Sequence, residues 1–81
     1  MEIEITKHLL KKLYRMGCWG KRHTCESNLP KGFPQHLRKD VLKVAEELRK
    51  NGFLVKHLTH HEHQWYLNWN MKKEIEEIIK D

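Results

Sequence analysis

The chain has 81 residues, of which 38% are hydrophobic and 33% are charged, and its formal net charge is +5. A chain of this length folds as one domain with a small core, which excludes a substrate cleft between two lobes. No segment reaches the roughly 20 consecutive apolar residues of a membrane-spanning helix. Two cysteines are too few for a disulfide-stabilised scaffold. We therefore expect one domain over residues 1–81, located in the cytoplasm with its thiols reduced.

The positive charge is concentrated in the first half of the chain. Residues 1–45 contain ten Lys or Arg and four acidic residues, whereas residues 46–81 contain six basic and seven acidic residues. This asymmetry favours a surface that binds a polyanion such as nucleic acid. The alternative is a charge-rich surface that only keeps the protein in solution.

A first helix is predicted over residues 6–16, followed by a short second helix. Thr6 is suited to cap the start of the first helix, and Gly17 is suited to end it. The second helix is predicted to begin at Thr24, its cap, and to end before Pro30, which disfavours a longer helix. The apolar stripe of the first helix consists of Leu9, Leu10, Leu13 and Tyr14.

A third helix is predicted over residues 34–50. Pro34 fits its first turn, and Asn51-Gly52 ends it. Its apolar residues follow the spacing of one helix face, and they are Leu37, Val41, Val44, Ala45 and Leu48.

The spacing of apolar residues then changes to two, which predicts a two-stranded hairpin. One strand begins at Phe53, the returning strand covers residues 64–69, and a loop over residues 59–63 joins them. A C-terminal helix is predicted to begin at Asn70, with an apolar stripe of Met71, Ile75, Ile78 and Ile79. The spacing favours core positions for Trp19, Trp65 and Trp69 and a more exposed position for Tyr66.

The order of these elements resembles that of the winged helix-turn-helix family. The resemblance is carried by the passage ELRKNGFLVKHLT from the third helix into the first strand and by the returning strand HQWYLN. It implies an α+β fold with three helices, a two-stranded β-hairpin wing and a C-terminal helix. The segment GKRHTCESNLPKGFP is also similar to a group of small archaeal winged-helix proteins with a Lys-Arg-His-Thr run. The short second helix with Pro30 departs from the family's pattern.

Three groups of residues are predicted to contact nucleic acid. The third helix fits the major groove of DNA and presents polar residues away from its core stripe. The Lys-Arg-His-Thr run precedes a predicted helix start, where a phosphate is favoured. The histidines of the wing gain charge near pH 6, so binding is expected to strengthen on acidification. The predicted contacts are Lys21, Arg22, His23, Thr24, Gln35, His36, Arg38, Lys39, Lys43, Lys56, His60 and His61.

The sequence thus predicts a small DNA-binding transcriptional regulator that is not an enzyme and uses no cofactor. It contains no Gly-rich phosphate loop, no H-E-x-x-H motif and no nucleophile–base pair. Cys18, His23 and Cys25 and the histidine cluster His57, His60, His61 and His63 are the possible metal ligands, an alternative left open; the spacing Cys18-x6-Cys25 differs from the Cys-x2–4-Cys pair of structural zinc sites, so no metal is predicted. The alternatives are an RNA- or ribosome-associated binding protein and a protein-interaction module. A homodimer through the C-terminal helix is a further prediction.

Overall fold

The computed structural model describes residues 3–80, with side chains from Glu4 onward. Met1, Glu2 and Asp81, which the prediction of one domain over residues 1–81 includes, lie outside the described residues. The α+β class is confirmed. In chain order the elements are α1 (Ile3–Met16), β1 (Thr24–Cys25), α2 (Arg38–Lys50), β2 (Leu54–His57), β3 (Gln64–Leu67) and α3 (Lys72–Ile79). Short 3-10 turns cover Glu26–Asn28, Gln35–Leu37 and Trp69–Met71.

Helix α1 is longer at its start than the sequence predicts, and its end lies where predicted. The backbone is already helical at Ile3, so Thr6 lies inside the helix and is not its cap. At the other end Gly17 has φ +68°. The amide of Gly17 donates to the Tyr14 carbonyl and that of Cys18 donates to the Leu13 carbonyl, both at 3.1 Å. This hydrogen-bond pair is the Schellman motif, for which glycine is favoured because it adopts a positive φ without strain.

Helix α2 ends in the same way but begins later than predicted. The Gln35–Leu37 segment forms a 3-10 turn after Pro34, and the α-helix starts at Arg38. At its end the amide of Phe53 donates to the Leu48 carbonyl at 2.9 Å, with Gly52 at φ +88°. The predicted core stripe is confirmed because Val41, Val44, Ala45 and Leu48 are buried.

The prediction of a short helix beginning at Thr24 is wrong, and the sheet has a third strand beside the two of the predicted hairpin. Thr24 pairs with Trp65 and Cys25 pairs with Gln64, which makes β1 the third strand of an antiparallel sheet in the order β1-β3-β2. A β-branched threonine suits a strand, and the pairing satisfies backbone groups that a helix would otherwise use. Only a single 3-10 turn, Glu26–Asn28, follows before Pro30.

The core lies between the sheet and the three helices. β2 pairs with β3 so that Leu54 is opposite Leu67 and Lys56 is opposite Trp65. The buried side chains of the sheet, among them Trp65 and Leu67, pack with those of the helices in one cluster. From α1 the cluster takes Ile5, Leu9, Leu10 and Leu13, from α2 the stripe described above, and from α3 Ile75.

After β3 two predictions are wrong: Asn70 does not cap the last helix, and Trp69 is not a core residue. The side chain of Asn68 accepts a hydrogen bond from the Asn70 amide at 3.1 Å, so Asn68 caps a 3-10 turn and α3 begins only at Lys72. This turn ends the strand alternation after Leu67. As a result Trp69 leaves the core face and is 61% exposed, contrary to the predicted core position.

The apolar stripe of α3 belongs to the domain's own core. Ile75 is fully buried, and Met71, Ile78 and Ile79 are partly buried against the same cluster. A homodimer through this helix stays a prediction. Most of the apolar surface that such a dimer would use is already packed against the domain's own core. None of the helices in residues 3–80 is long and apolar enough to cross a membrane.

Candidate nucleic-acid interface

The start of α2 and the turn before it carry five of the predicted contact residues on one continuous stretch of chain. All five side chains are exposed, and the opposite side of the helix packs into the core. We call them the α2 face: Gln35, His36, Arg38, Lys39 and Lys43. Within residues 3–80, none of the three cations has an ion-pair partner, so their charges are available to a ligand.

Helix α2 also carries acidic residues, Asp40 in its first turn and Glu46 and Glu47 in its second half, and Glu46 is neutralised within the fold. Glu46 accepts from Lys56 Nζ at 2.7 Å and from Arg49 Nε at 2.8 Å. These two hydrogen bonds, that from Lys56 first, lower the pKa of Glu46 below its ordinary value of 4.5. The acid therefore stays ionised and paired, and it subtracts little from the positive potential of the α2 face.

Lys56, predicted as a nucleic-acid contact, is engaged inside the domain. Its ammonium binds Glu46, lies 3.8 Å from a Glu26 carboxylate oxygen and sits 5.3 Å from the centroid of the Trp65 ring. The contact with Glu46 holds β2 against α2. Lys56 thus stabilises the packing of the hairpin, and its charge is already engaged by Glu46.

The Lys-Arg-His-Thr run divides into an exposed part and a buried part. Lys21, Arg22 and His23 are exposed in the loop before β1. Thr24 is 5% exposed, and its hydroxyl accepts from Asn28 Nδ2 at 3.2 Å. The helix start that motivated a phosphate site here is absent, because Thr24 begins a strand. The three exposed residues remain candidate contacts on charge alone.

The hairpin loop is held by its own Thr59 and by the 3-10 turn that contains Ser27. The Glu62 amide donates to the Thr59 hydroxyl at 3.0 Å, and a Glu62 carboxylate oxygen accepts from the Ser27 amide at 2.7 Å. The Ser27 hydrogen bonds lower the pKa of Glu62. His60 and His61 are exposed at the tip, so the structure leaves them accessible but places a carboxylate beside them.

A second basic surface was not predicted as a site. Between α1 and residues 31–33 lies a groove of about 230 Å³, which we call the α1 groove. It is lined by His8, Lys11, Lys12, Arg15, Lys31 and Phe33, among others. The Lys11-Lys12-x-x-Arg15 spacing on one helix was a visible signal for a basic helix face. Lys31 joins that face only through the folding of a distant loop.

Lys12 holds that loop in place. Its Nζ donates to the backbone carbonyls of Asn28, Leu29 (3.2 Å) and Lys31 (2.6 Å). Burial lowers the pKa of Lys12, and the nearby positive charge of Lys31 lowers it further. A lysine that binds three carbonyl oxygens fixes the shape of the α1 groove while keeping its positive charge there.

An aromatic cluster with one exposed member, Trp69, is the other feature that the sequence did not predict. The rings of Trp19 and Trp69 meet edge to face with centroids 5.1 Å apart, and Tyr14 contacts Trp19 at 5.8 Å. Lys72 Nζ lies 5.3 Å from the Trp69 ring centroid. The Tyr14 hydroxyl donates to Glu76 at 2.6 Å, which anchors the far end of the cluster. The large exposed ring is thus held in one orientation.

In the described part of the chain, no group of three or more His, Cys, Asp or Glu side chains is arranged to hold a metal ion. Cys18 is buried and Cys25 is half-buried, and both thiols are free.

Comparison of the chain with models of protein families, with curated proteins and with solved structures finds no match. Its function is therefore inferred from the geometry and charge of the surfaces described above.

Proposed function

We propose that this protein binds nucleic acid through the α2 face, with duplex DNA as the favoured target. The observation that carries the proposal is the set of three exposed cations on the first turns of α2, unpaired within residues 3–80, while Glu46 nearby is neutralised by its own partners. An exposed helix start fits the major groove, where its first side chains reach base edges and phosphates.

The winged-helix resemblance supports this assignment. Helix α2 passes through Gly52 directly into the β2–β3 hairpin, as the third helix of that family passes into its wing. In this interpretation α2 is the recognition helix and residues 58–63 form the wing tip. The 3-10 turn Glu26–Asn28 stands where the family has its second helix. A transcriptional regulator is the role that we propose within this class.

Salt dependence tests the proposal. We expect the affinity for mixed-sequence duplex DNA to fall with salt, with a log–log slope of about −0.9 for each phosphate contact. Lys39→Ala with Lys43→Ala should reduce that slope by about 0.9 for each phosphate contact that the substitutions remove. The matched control is Lys73→Ala with Lys80→Ala, which removes the same charge from the α3 region. An unchanged slope in the α2 variant would overturn the assignment. The absence of any salt-sensitive binding would favour a protein-interaction module.

RNA binding is the second candidate, and the exposed Trp69 favours it. Proteins that bind unpaired nucleotides stack bases on exposed aromatic side chains, and each stacked base contributes about 1–3 kcal/mol. Trp69 is 61% exposed and has the Lys72 ammonium beside its ring. If RNA with unpaired bases is the ligand, Trp69→Ala should weaken its binding by that amount. Met16→Ala, which removes another exposed apolar side chain outside the α2 face and the wing tip, is the control.

A further inference from the structure

The α1 groove has the composition of an anion site. The side chains that line it carry four cations and one histidine, and within the described residues no carboxylate is among them. Arg15 and Lys31 are exposed at its rim, and neither has an ion-pair partner in residues 3–80. Glu4 lines a separate apolar pocket that shares His8 and Phe33 with the groove. Four cations that line one groove raise the local potential for an anion, and the Glu62 carboxylate, which interacts electrostatically with Lys31, offsets part of it.

The shape of the groove is fixed by contacts that do not depend on a ligand. The three carbonyl hydrogen bonds of Lys12 hold residues 28–31 against α1. His8 packs edge to face on Phe33, with ring centroids 6.3 Å apart, and forms an apolar side wall. A preformed groove binds with less loss of conformational entropy than a flexible loop does.

The size and chemistry favour a phosphate group. The volume of about 230 Å³ is below the roughly 300–1,000 Å³ of small-molecule pockets. An arginine guanidinium matches two phosphate oxygens, and a lysine adds a point charge beside them. We propose that the α1 groove binds a phosphate group, held mainly by Arg15 and Lys31, and that this phosphate belongs to the backbone of the nucleic acid bound at the α2 face.

The position of the groove supports a shared ligand. Only Gly32, Phe33 and Pro34 separate Lys31 from the 3-10 turn that carries Gln35 and His36. Four residues of chain span at most about 14 Å, so Lys31 and the first residue of the α2 face are close enough for one nucleic acid to reach both. This source of the phosphate rests on the proposed function, whereas the phosphate site itself rests on the groove alone.

Two measurements test the site separately from the function. Inorganic phosphate is titrated into the 15N-labelled protein, and the amide signals of Gly32 and Phe33 are followed by NMR. We expect saturable shifts that disappear in Arg15→Ala with Lys31→Ala but persist in Lys39→Ala with Lys43→Ala. The absence of shifts in the unmodified protein, or their persistence in the groove variant, would overturn the phosphate site.

The second measurement is the salt slope of nucleic-acid binding for the same variants. We expect the groove variant to reduce the slope by about 0.9 for each phosphate contact that it no longer makes, with Lys73→Ala plus Lys80→Ala as the charge-matched control. Phosphate shifts with an unchanged slope would show a site for free phosphate and overturn the backbone contact. A reduced slope in the groove variant but not in the α2 variant would overturn the α2 assignment and retain the groove.

Discussion

The α2 face and the α1 groove are both basic, but they are built in different ways. In the α1 groove, Lys12 binds three backbone carbonyls and so forms part of the fold. On the α2 face, Lys39 and Lys43 are exposed and unpaired within residues 3–80, while the neighbouring acid Glu46 is held by other cations. The α1 groove therefore combines a structural cation, Lys12, with the exposed Arg15 and Lys31, whereas the cations of the α2 face are all exposed. Counting lysines along a sequence does not distinguish these two uses.

The largest expected effect comes from removing the exposed cations of both regions together. The combined variant carries Arg15→Ala, Lys31→Ala, Lys39→Ala and Lys43→Ala. Separate phosphate contacts should add, so the slope should fall by about 0.9 for each of them. When salt rises from about 50 to 200 mM, both proteins should lose affinity. The factor by which the affinity falls should be roughly a hundredfold smaller for the variant than for the unmodified protein. Fluorescence anisotropy with labelled duplex DNA measures this. A combined effect no larger than that of either pair would show that the two regions do not bind one ligand.

The next effect distinguishes structural from available lysines. Lys12→Met should destabilise the protein by about 2 kcal/mol, because hydrogen bonds to a charged group contribute about 1.5–3 kcal/mol and three carbonyls lose their donor. Lys39→Met should change stability by less than about 0.5 kcal/mol, since it removes an exposed side chain. The urea midpoint at constant m-value measures both. Equal midpoints for the two variants would contradict the structural role of Lys12.

The same contrast explains what the sequence predicts and what it does not. Helix ends at Gly17 and Gly52 were predictable because a local backbone conformation requires glycine there. The strand at Thr24 was not, because two residues carry no periodicity and the strand exists only through pairing with the distant Trp65. Likewise the exposure of Trp69 follows from a turn capped by Asn68, which interrupts the alternation of β3.

The candidate sites show the same limit. The α2 face was predictable because a single helix brings its residues together, and the apolar stripe identifies the opposite, solvent side. The α1 groove was not, because it requires Lys31 to be brought across to α1 by the carbonyl contacts of Lys12. Lys56 was predicted as a contact because its charge was visible, whereas its partners Glu26 and Glu46 lie on other elements.

The smallest expected effect concerns the acid beside the α2 face. Glu46→Gln removes the charge that binds Lys56 and Arg49, and it should cost less than about 1 kcal/mol at neutral pH because the pair is partly exposed. The lowered pKa of Glu46 sets the pH dependence. The ionised form stabilises the fold above pH 4.5, the ordinary value, and this contribution is lost as the pH falls through the lower pKa of the folded state.

The difference in stability between the two proteins should therefore disappear in acid, which urea denaturation at neutral and acidic pH measures. Glu47→Gln, an exposed neighbour on the same helix, is the matched control. The substitution at Glu46 also releases Lys56 from its ion pair. The salt slope for DNA binding should therefore be at least as steep as that of the unmodified protein, and steeper if the Lys56 ammonium then contacts a phosphate. A shallower slope in Glu46→Gln would contradict this prediction and would show that the contacts of Glu46 with Lys56 and Arg49 hold the α2 face in its binding conformation, because removing an acid can weaken binding only by disturbing that structure.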